Sequence, residues 1–495
     1  MSLTVRALLA ILLTIGFYAL AAAIAGLLLV FAISGLAGGE VDRATVFSLI
    51  GGVIVLWSIL PRPRRFRAPG PRVDLAANPH LAEHLQDVAR RVGEPLPPDV
   101  YLTLQMNAGV AQRGGLLGIG SRRFMVLGLP LMQLLTVSEF RAVLAHEFGH
   151  FRGGDTRLGP SIYRARQAIA RTVQLAGSVS IVLWLPFRAY ATLFFRITQA
   201  VSRAQEYAAD ALAASVVGAM PLAFALRKLP GGSLALDLYL RHELVPAIAA
   251  GFEPPVAAGF LHFVTREPTL ALTTRFAQEQ LARPPHDPYD SHPPTAARLS
   301  ALATLPPGPD PSGEPAALVL LSQVPTLEQA LVEGLRPAGT PPLRPVAWEQ
   351  VGATVFLPAW QKQVRTHSAL LAGATLGNLP EWAAAAAELG NRLATGASEA
   401  GQRGRAGGRQ PASADPDRAR EAGLRLLAAA VGVALAAQGW SAESLPGEPV
   451  TFRRGDLELA PLTAVRRLAD RELDAQGWYR QIQELGLGNA WLATA

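Results

Sequence analysis

Five consecutive residues, His146-Glu147-Phe148-Gly149-His150, hold the densest chemistry of the 495-residue chain. Two imidazoles four positions apart on a helix project side by side, so both can reach one tetrahedral ion. Glu147, one residue on, then points at water in an open coordination position. It can take that water's proton as a general base and later pass it to a leaving amine. The plain competing reading is a surface helix with two idle histidines. A catalytic zinc needs a third protein ligand, and the chain has no cysteine, so that ligand must be His, Asp or Glu. The same lack excludes disulfides, thiol nucleophiles and cysteine-ligated clusters. Downstream, Ser202-Arg203-Ala204-Gln205-Glu206-Tyr207-Ala208-Ala209-Asp210 reads as a helix with Glu206 and Asp210 four apart on one face. Alone, that is as readily a charged helix face as a ligand.

Ser-Arg-x-x-Glu-x-x-Ala-Asp following H-E-x-x-H resembles the HtpX-like membrane zinc metallopeptidases, relatives of the CAAX prenyl protease. The resemblance implies a zincin-type domain with one Zn2+ per chain, in which Glu206 joins His146 and His150 as the third ligand. It implies that Asp155, in Phe151-Arg152-Gly153-Gly154-Asp155, and Asp210 form the acidic surround that orients the ligand imidazoles. Ser291-His292-Pro293-Pro294-Thr295-Ala296-Ala297-Arg298 is similar to the family's His-Pro segment ending in Arg. His292 is therefore expected to approach from the opposite wall and stabilise the oxyanion, with Arg298 positioning it. Asn107-Ala108 fits the family pattern beside a strand edge that receives substrate as an added strand. In motif terms the resemblance covers about residues 100–300, and it implies misfolded or damaged membrane proteins as substrates.

The elements that must position these residues are partly visible. Thr136 and Glu139 stand three apart before an apolar run, a capping box that starts the helix bearing the motif. Asn78-Pro79 starts an earlier helix that Gly93 ends. Asp99–Met106 and Phe124–Leu129 read as strands, with Gly114–Gly120 as a hairpin connection. A phosphate loop is excluded there, because no strand–loop–helix order and no Lys-Ser or Lys-Thr follows.

Apolar content of 50% with 17% charged residues is rich for a soluble protein and points to membrane segments. Ala7–Gly39 is uncharged over 33 residues and Ala44–Pro61 over 18, against the ~20 that cross a bilayer. A cleaved signal peptide competes, but its apolar region is only ~7–15 residues long. Of the net +7, residues 1–72 hold +5, mostly in the Arg cluster after Pro61. That distribution argues against a nucleic-acid surface, and by the positive-inside rule it places everything after Arg72 in the cytoplasm. Between His150 and Glu206, Thr172–Phe187 is again uncharged. Ligands to one ion share one side of the membrane, so this segment crosses twice or not at all. The expectation is a helical hairpin turning at Pro186, its tip (Val182, Leu183, Trp184, Leu185, Phe187) in or against the bilayer, with a soluble buried hairpin as the alternative.

The fold class expected is thus α+β and mainly helical. A transmembrane hairpin occupies residues 1–72 (spans about 8–34 and 44–61). A zincin-type domain with a small sheet occupies 73–304, including the apolar hairpin 160–200. A Pro-rich linker, 305–316, leads to a separate C-terminal α+β region, 317–495, broken by a disordered stretch at 397–420. Within that region Leu426–Trp440 reads as a buried helix and Pro449–Pro461 as a hairpin turning at Gly455-Asp456. Nothing after residue 317 carries recognisable chemistry. The favoured reading is a zinc endopeptidase of a bacterial-type inner membrane, facing the cytoplasm, whose partners are polypeptides and the lipid bilayer but not nucleic acid. Its oligomeric state stays open. The alternatives are a catalytically idle membrane scaffold and a signal-cleaved extracytoplasmic metallohydrolase.

Overall fold

The computed structural model describes residues 3–39, 41–60, 66–113, 122–151, 156–282, 293–336, 339–402 and 415–492. The chain forms two compact units, one of residues 1–234 and 271–327, the other of residues 235–270 and 328–495.

In the first unit α1 (Leu3–Ala37) is followed by α2 (Arg43–Ile59), with the Asp42 carboxylate accepting from the Thr45 N–H at 2.7 Å to cap α2. Further along, α6 (Thr156–Val179) and α7 (Ile181–Val216) pack on them, and Phe17, Ala25, Val55, Ile169, Phe187 and Phe194 share one core. The outward faces are apolar too: Leu27, Ile33, Val53 and Trp57 are all more than half exposed. Large apolar side chains massed on one exposed face mark an interface rather than a surface made for water. Among the described residues two helices, Ile11–Ala37 and Ile181–Val216, are long and apolar enough to cross a membrane; α2, at 17 residues, is shorter.

The expected turn at Pro186 is corrected. The chain reverses at Ser180, whose hydroxyl accepts from the Val182 N–H at 3.0 Å and caps α7, leaving Pro186 inside the helix. A single capped residue thus does what a proline bend was expected to do. Ile181, Val182 and Leu185 stand exposed at the tip, while Leu183 and Phe187 turn into the core and Trp184 lies under Arg188.

The remainder of the unit builds the site. Here α3 (Pro79–Val92) ends at Gly93 in the left-handed conformation. The sheet has strands β1 (Asp99–Thr103), β2 (Ala108–Arg113) and β3 (Arg122–Gly128) in the order β1-β3-β2. The first and third are parallel and β2 is antiparallel to β3, so the two strands read from sequence are not a hairpin pair. Strand β2 escaped notice because Ala-Gly-Val-Ala-Gln-Arg offers one β-branched residue. Its connection to β3 lies outside the described residues. At Gly128 a Cβ would collide with the carbonyl oxygens of Gln105 and Asn107, so glycine lets the chain before β2 pass close. After α4 (Leu129–Leu134) comes α5 (Val137–His150), with both bonds of the Thr136–Glu139 capping box formed. The buried Glu139 also accepts from Lys228 Nζ at 2.7 Å, tying α5 to α8 (Ala219–Tyr239).

The Pro-rich stretch expected as a linker is bonded into this unit. Prolines lack N–H groups, but their carbonyls still accept. Those of Pro306, Pro307 and Pro315 take the N–H groups of Ala219, Met220 and Val137. Glu314 then accepts from the Ser138 N–H at 2.8 Å and its hydroxyl at 2.7 Å, adding a second carboxylate at the N-terminus of α5.

In the second unit the helix Pro416–Ala437 is buried along most of its length. Strands Thr451–Arg454 and Leu457–Leu459 form a hairpin turning through Gly455. The stretch expected to be disordered is helical at both ends: residues 397–402 finish the helix Ala386–Gln402, and Asp415-Pro416 caps and starts the next. Residues 403–414 lie outside the described residues. Glu243, in one turn of π-helix (Leu240–Leu244), is buried and its carboxylate accepts from the Gly447 N–H at 3.1 Å. Burial pushes its pKa up to about 7, against the lowering effect of that one bond. The native state therefore holds a proton that the unfolded chain has released. Its stability falls as pH rises from about 4.5 to 7, by an amount on the order of 3 kcal/mol, and is level above that. Urea unfolding followed on this unit is expected to show that slope in the native sequence and lose it in Glu243→Gln.

Candidate metal centre

Three elements of the first unit meet at the motif. On α5, His146 is buried and His150 partly so; on α7, Glu206 and Asp210 are buried; Arg298, on the helix Thr295–Leu302, is buried as well. Nε2 of His146 and Nε2 of His150 lie 3.2 Å apart, and the Glu206 carboxylate oxygens lie 3.5 and 3.6 Å from them. Donors on a tetrahedral zinc at ~2.05 Å stand ~3.3 Å from one another. The two imidazole nitrogens and the Glu206 carboxylate, one oxygen of which faces each nitrogen, lie close enough together to hold a single small divalent ion, and the donor set suits zinc.

The surround sets which atoms face that ion. The Nδ1 of His146 is 2.9 Å from Asp210 Oδ1. With the proton on Nδ1 donated to the carboxylate, the Nε2 lone pair is left for a metal. Arg298 grips both oxygens of Asp210 in a bidentate pair, Nε to Oδ2 at 2.8 Å and a terminal nitrogen, at 2.6 Å, to the Oδ1 that also faces His146. Its second terminal nitrogen stands 3.4 Å from Glu206 Oε2. Burial alone would lower the arginine's pKa, but the bonds and charge of Asp210, then the charges of Glu206 and Glu147, raise it, so it stays a cation. Arg298 thus lies against the acidic surround of the metal triangle, on atoms of Asp210 and Glu206.

Beside the triangle is a cleft of 510 Å³. Glu147 lines it, with Asn107 through Ala111 on one side and Leu222, Leu226 and Leu229 of α8 on another. A Cβ at Gly109 would stand 3.6 Å from Glu147 Oε2, so the backbone of edge strand β2 runs past the carboxylate. Asp155 and His292 lie outside the described residues. Sequence reading passed over Gly109, Gly149 and the leucines of α8. The spacing of Leu222, Leu226 and Leu229 is a helical-face signal that could have found the apolar wall.

Gly149, between the two histidines, decides how close α7 comes. A Cβ there would lie 3.1 Å from Ala209 Cα and 3.3 Å from both Ala209 Cβ and Leu212 Cδ2. A bulkier side chain must push the helices apart, at about 1–3 kcal/mol, and move Glu206 away from the imidazoles. Gly149→Val is expected to weaken metal affinity at least ~10-fold, the scale on which such displaced ligands act, measured by competition with a metal-binding dye.

Residues 75–305 match the model of peptidase family M48. A curated relative called Protease HtpX homolog, of Acidiphilium cryptum, is 29% identical over 205 residues, covering 38% of this chain and 68% of the relative. Protease HtpX of Actinobacillus pleuropneumoniae is 25% identical over 232 residues, 41% of this chain and 77% of the relative. A Protease HtpX homolog of a Sulfurihydrogenibium species is 30% identical over 173 residues, 30% of this chain and 55% of the relative. No solved structure matches. Residues 75–305 carry the pattern of peptidase family M48, and the resemblance to HtpX-like metallopeptidases that the motifs convey is borne out.

Proposed function

We propose that the chain is a membrane-bound, zinc-dependent endopeptidase that cleaves polypeptides at the cytoplasmic face of a bacterial-type inner membrane, in membrane protein quality control. The observation that carries the reading is the triangle of His146, His150 and Glu206 set beside Glu147 and beside β2, an edge strand among the described residues. A purely structural metal site has no need of Glu147 or a cleft. The apolar outer faces of α1 and α2 and the packing of α1 against α7 support a retained anchor rather than a cleaved leader.

His146, His150 and Glu206 would hold one zinc, which when bound polarises the scissile carbonyl and makes hydroxide available near neutral pH. The chain's own residues do the rest. Extended substrate lies along β2 from Asn107-Ala108 onward, its backbone bonded to the outer edge of the strand and an apolar side chain against Leu222, Leu226 and Leu229. Glu147 takes the proton of the attacking water and delivers it to the departing nitrogen. Asp210, with Asp155, keeps the imidazoles in the ligating tautomer, Arg298 locks Asp210, and His292 steadies the negative oxygen.

The test is proteolysis of an unfolded protein by detergent-purified material before chelation, after it, and after adding back zinc. We expect one zinc per chain, loss of cleavage on chelation and recovery on re-addition. Zinc binding with no cleavage of soluble or membrane-inserted polypeptide would favour the idle scaffold. Cleavage indifferent to chelation would sink the reading.

A further inference from the structure

Two features of the first unit bear on how far the cleft stands from the apolar bundle of α1 and α2. The first is α7, one unbroken helix that carries apolar residues of the bundle at one end and Glu206 at the other. Near the end of α2, the Ser58 hydroxyl lies 2.8 Å from the Thr172 hydroxyl of α6. Gly177 against Trp184 and Arg166 over Phe195 bracket Thr172, setting it level with Arg188 and Ala189 of α7. Trp57 stands next to Ser58 and Tyr190 next to Ala189, so two aromatics of a type enriched at bilayer surfaces lie about this level, the Tyr190 hydroxyl donating to the Leu13 carbonyl of α1 at 2.7 Å. Glu206 is 17 residues beyond Ala189, which at 1.5 Å per residue puts it about 25 Å away along the helix.

The second is the sheet. Phe66 follows Ile59, the last residue of α2, by seven positions, a reach of at most ~25 Å. It packs on Phe124 with ring centres 5.2 Å apart and lies under Arg113, whose guanidinium is 4.5 Å from the ring centre. Arg113 ends β2, and also pairs with Asp99 at 2.7 Å. One end of the edge strand is therefore held within about 25 Å of the point where the chain leaves α2, while its other end, Ala108-Gly109, lines the cleft by Glu147. Among the described residues β2 has no strand on its outer side.

We infer that the cleft acts as a ruler. Its substrates are extended tails emerging directly from the bilayer, threaded along the edge of β2 and cut at a set distance from the membrane surface. An extended chain rises ~3.3 Å per residue, so about 25 Å corresponds to about eight residues. Peptide bonds nearer the membrane than that do not reach Glu147. This rests on the peptidase reading above and on α1 and α2 lying in the bilayer.

The experiment uses the full chain reconstituted in liposomes with substrates made of one transmembrane helix and a tail of repeated identical segments. A second series places one cleavable segment 4, 8, 12 or 24 residues out in an otherwise glycine–serine tail. Mass spectrometry locates the cuts, and an unfolded soluble protein and the Glu147→Gln variant run alongside. Cuts clustering about 8–12 residues from the helix, with the 4-residue substrate at least tenfold slower than the 8-residue one, are the expected result. Cuts spread evenly along the tail, or equal rates at 4 and 8 residues, overturn the ruler while leaving the peptidase reading intact, provided Glu147→Gln is inactive. If neither tails nor soluble protein are cut by zinc-loaded enzyme, the peptidase reading fails and the ruler falls with it.

Discussion

Replacing Glu147 by Gln is expected to lower peptide-bond cleavage by about 10²- to 10⁴-fold, the range that a positioned general base contributes, while leaving bound metal and thermal stability unchanged. The expectation follows from where the side chain stands. Glu147 lines the open cleft and is one residue from His146, yet the metal triangle is completed by Glu206. The amide keeps the shape and most hydrogen bonds of the carboxylate but has no basic oxygen. Rate and metal content, measured on the same preparation, separate this from a loss of the site. Equal activity in the two proteins would show that Glu147 is not the base.

The second large effect concerns the pair behind the metal. Asp210→Ala removes the acceptor of His146 Nδ1 and leaves Arg298 as a buried cation without its bidentate partner. Breaking such a pair costs about 3–5 kcal/mol, and losing the support of a ligand imidazole costs about 10- to 100-fold in metal affinity. These two losses are separable. The double change Asp210→Ala with Arg298→Met takes away the orphaned charge, so much of the stability should return while metal affinity stays low. Denaturant unfolding of the metal-free protein and dye competition read the two quantities. If the double variant binds metal as tightly as the native protein, Asp210 is a packing residue and not an orienting one.

How much of this was legible differs by the range of the interaction. The His146–His150 pair and the Thr136–Glu139 box are set by helical spacing, so the sequence spelled them out, and both stand in the structure. Glu206, Asp210 and Arg298 lie 60 to about 150 residues from His146; helical spacing cannot link them to it, and only the resemblance to a family pattern does. The structure puts Glu206 in the triangle and Arg298 against Asp210. What stayed hidden depended on neighbours that sequence does not show. Gly149 reads as a helix weakener until Ala209 is seen against it. Strand β2 reads as loop because its pairing with β3, and not its residue types, makes it a strand. Residues 305–316 read as a spacer because prolines look uncommitted, although their carbonyls had partners waiting at Val137, Ala219 and Met220. Pro186 drew the turn to itself, when a serine six residues earlier could cap the next helix.

The late return of Glu314 and Arg298 to α5 and Asp210 has a consequence during synthesis. A ribosome finishes the helix bearing the two histidines about 150 residues before it makes Arg298, an interval on the order of 10–30 s at bacterial-scale elongation rates. Throughout that time the nascent chain holds Glu147 and both imidazoles but lacks the cation that neutralises Asp210 and the carboxylate that closes the start of α5. Maturation is therefore ordered in time. The surround of His146 is thus completed only once the segment bearing Arg298 and Glu314 has been made, long after both histidines.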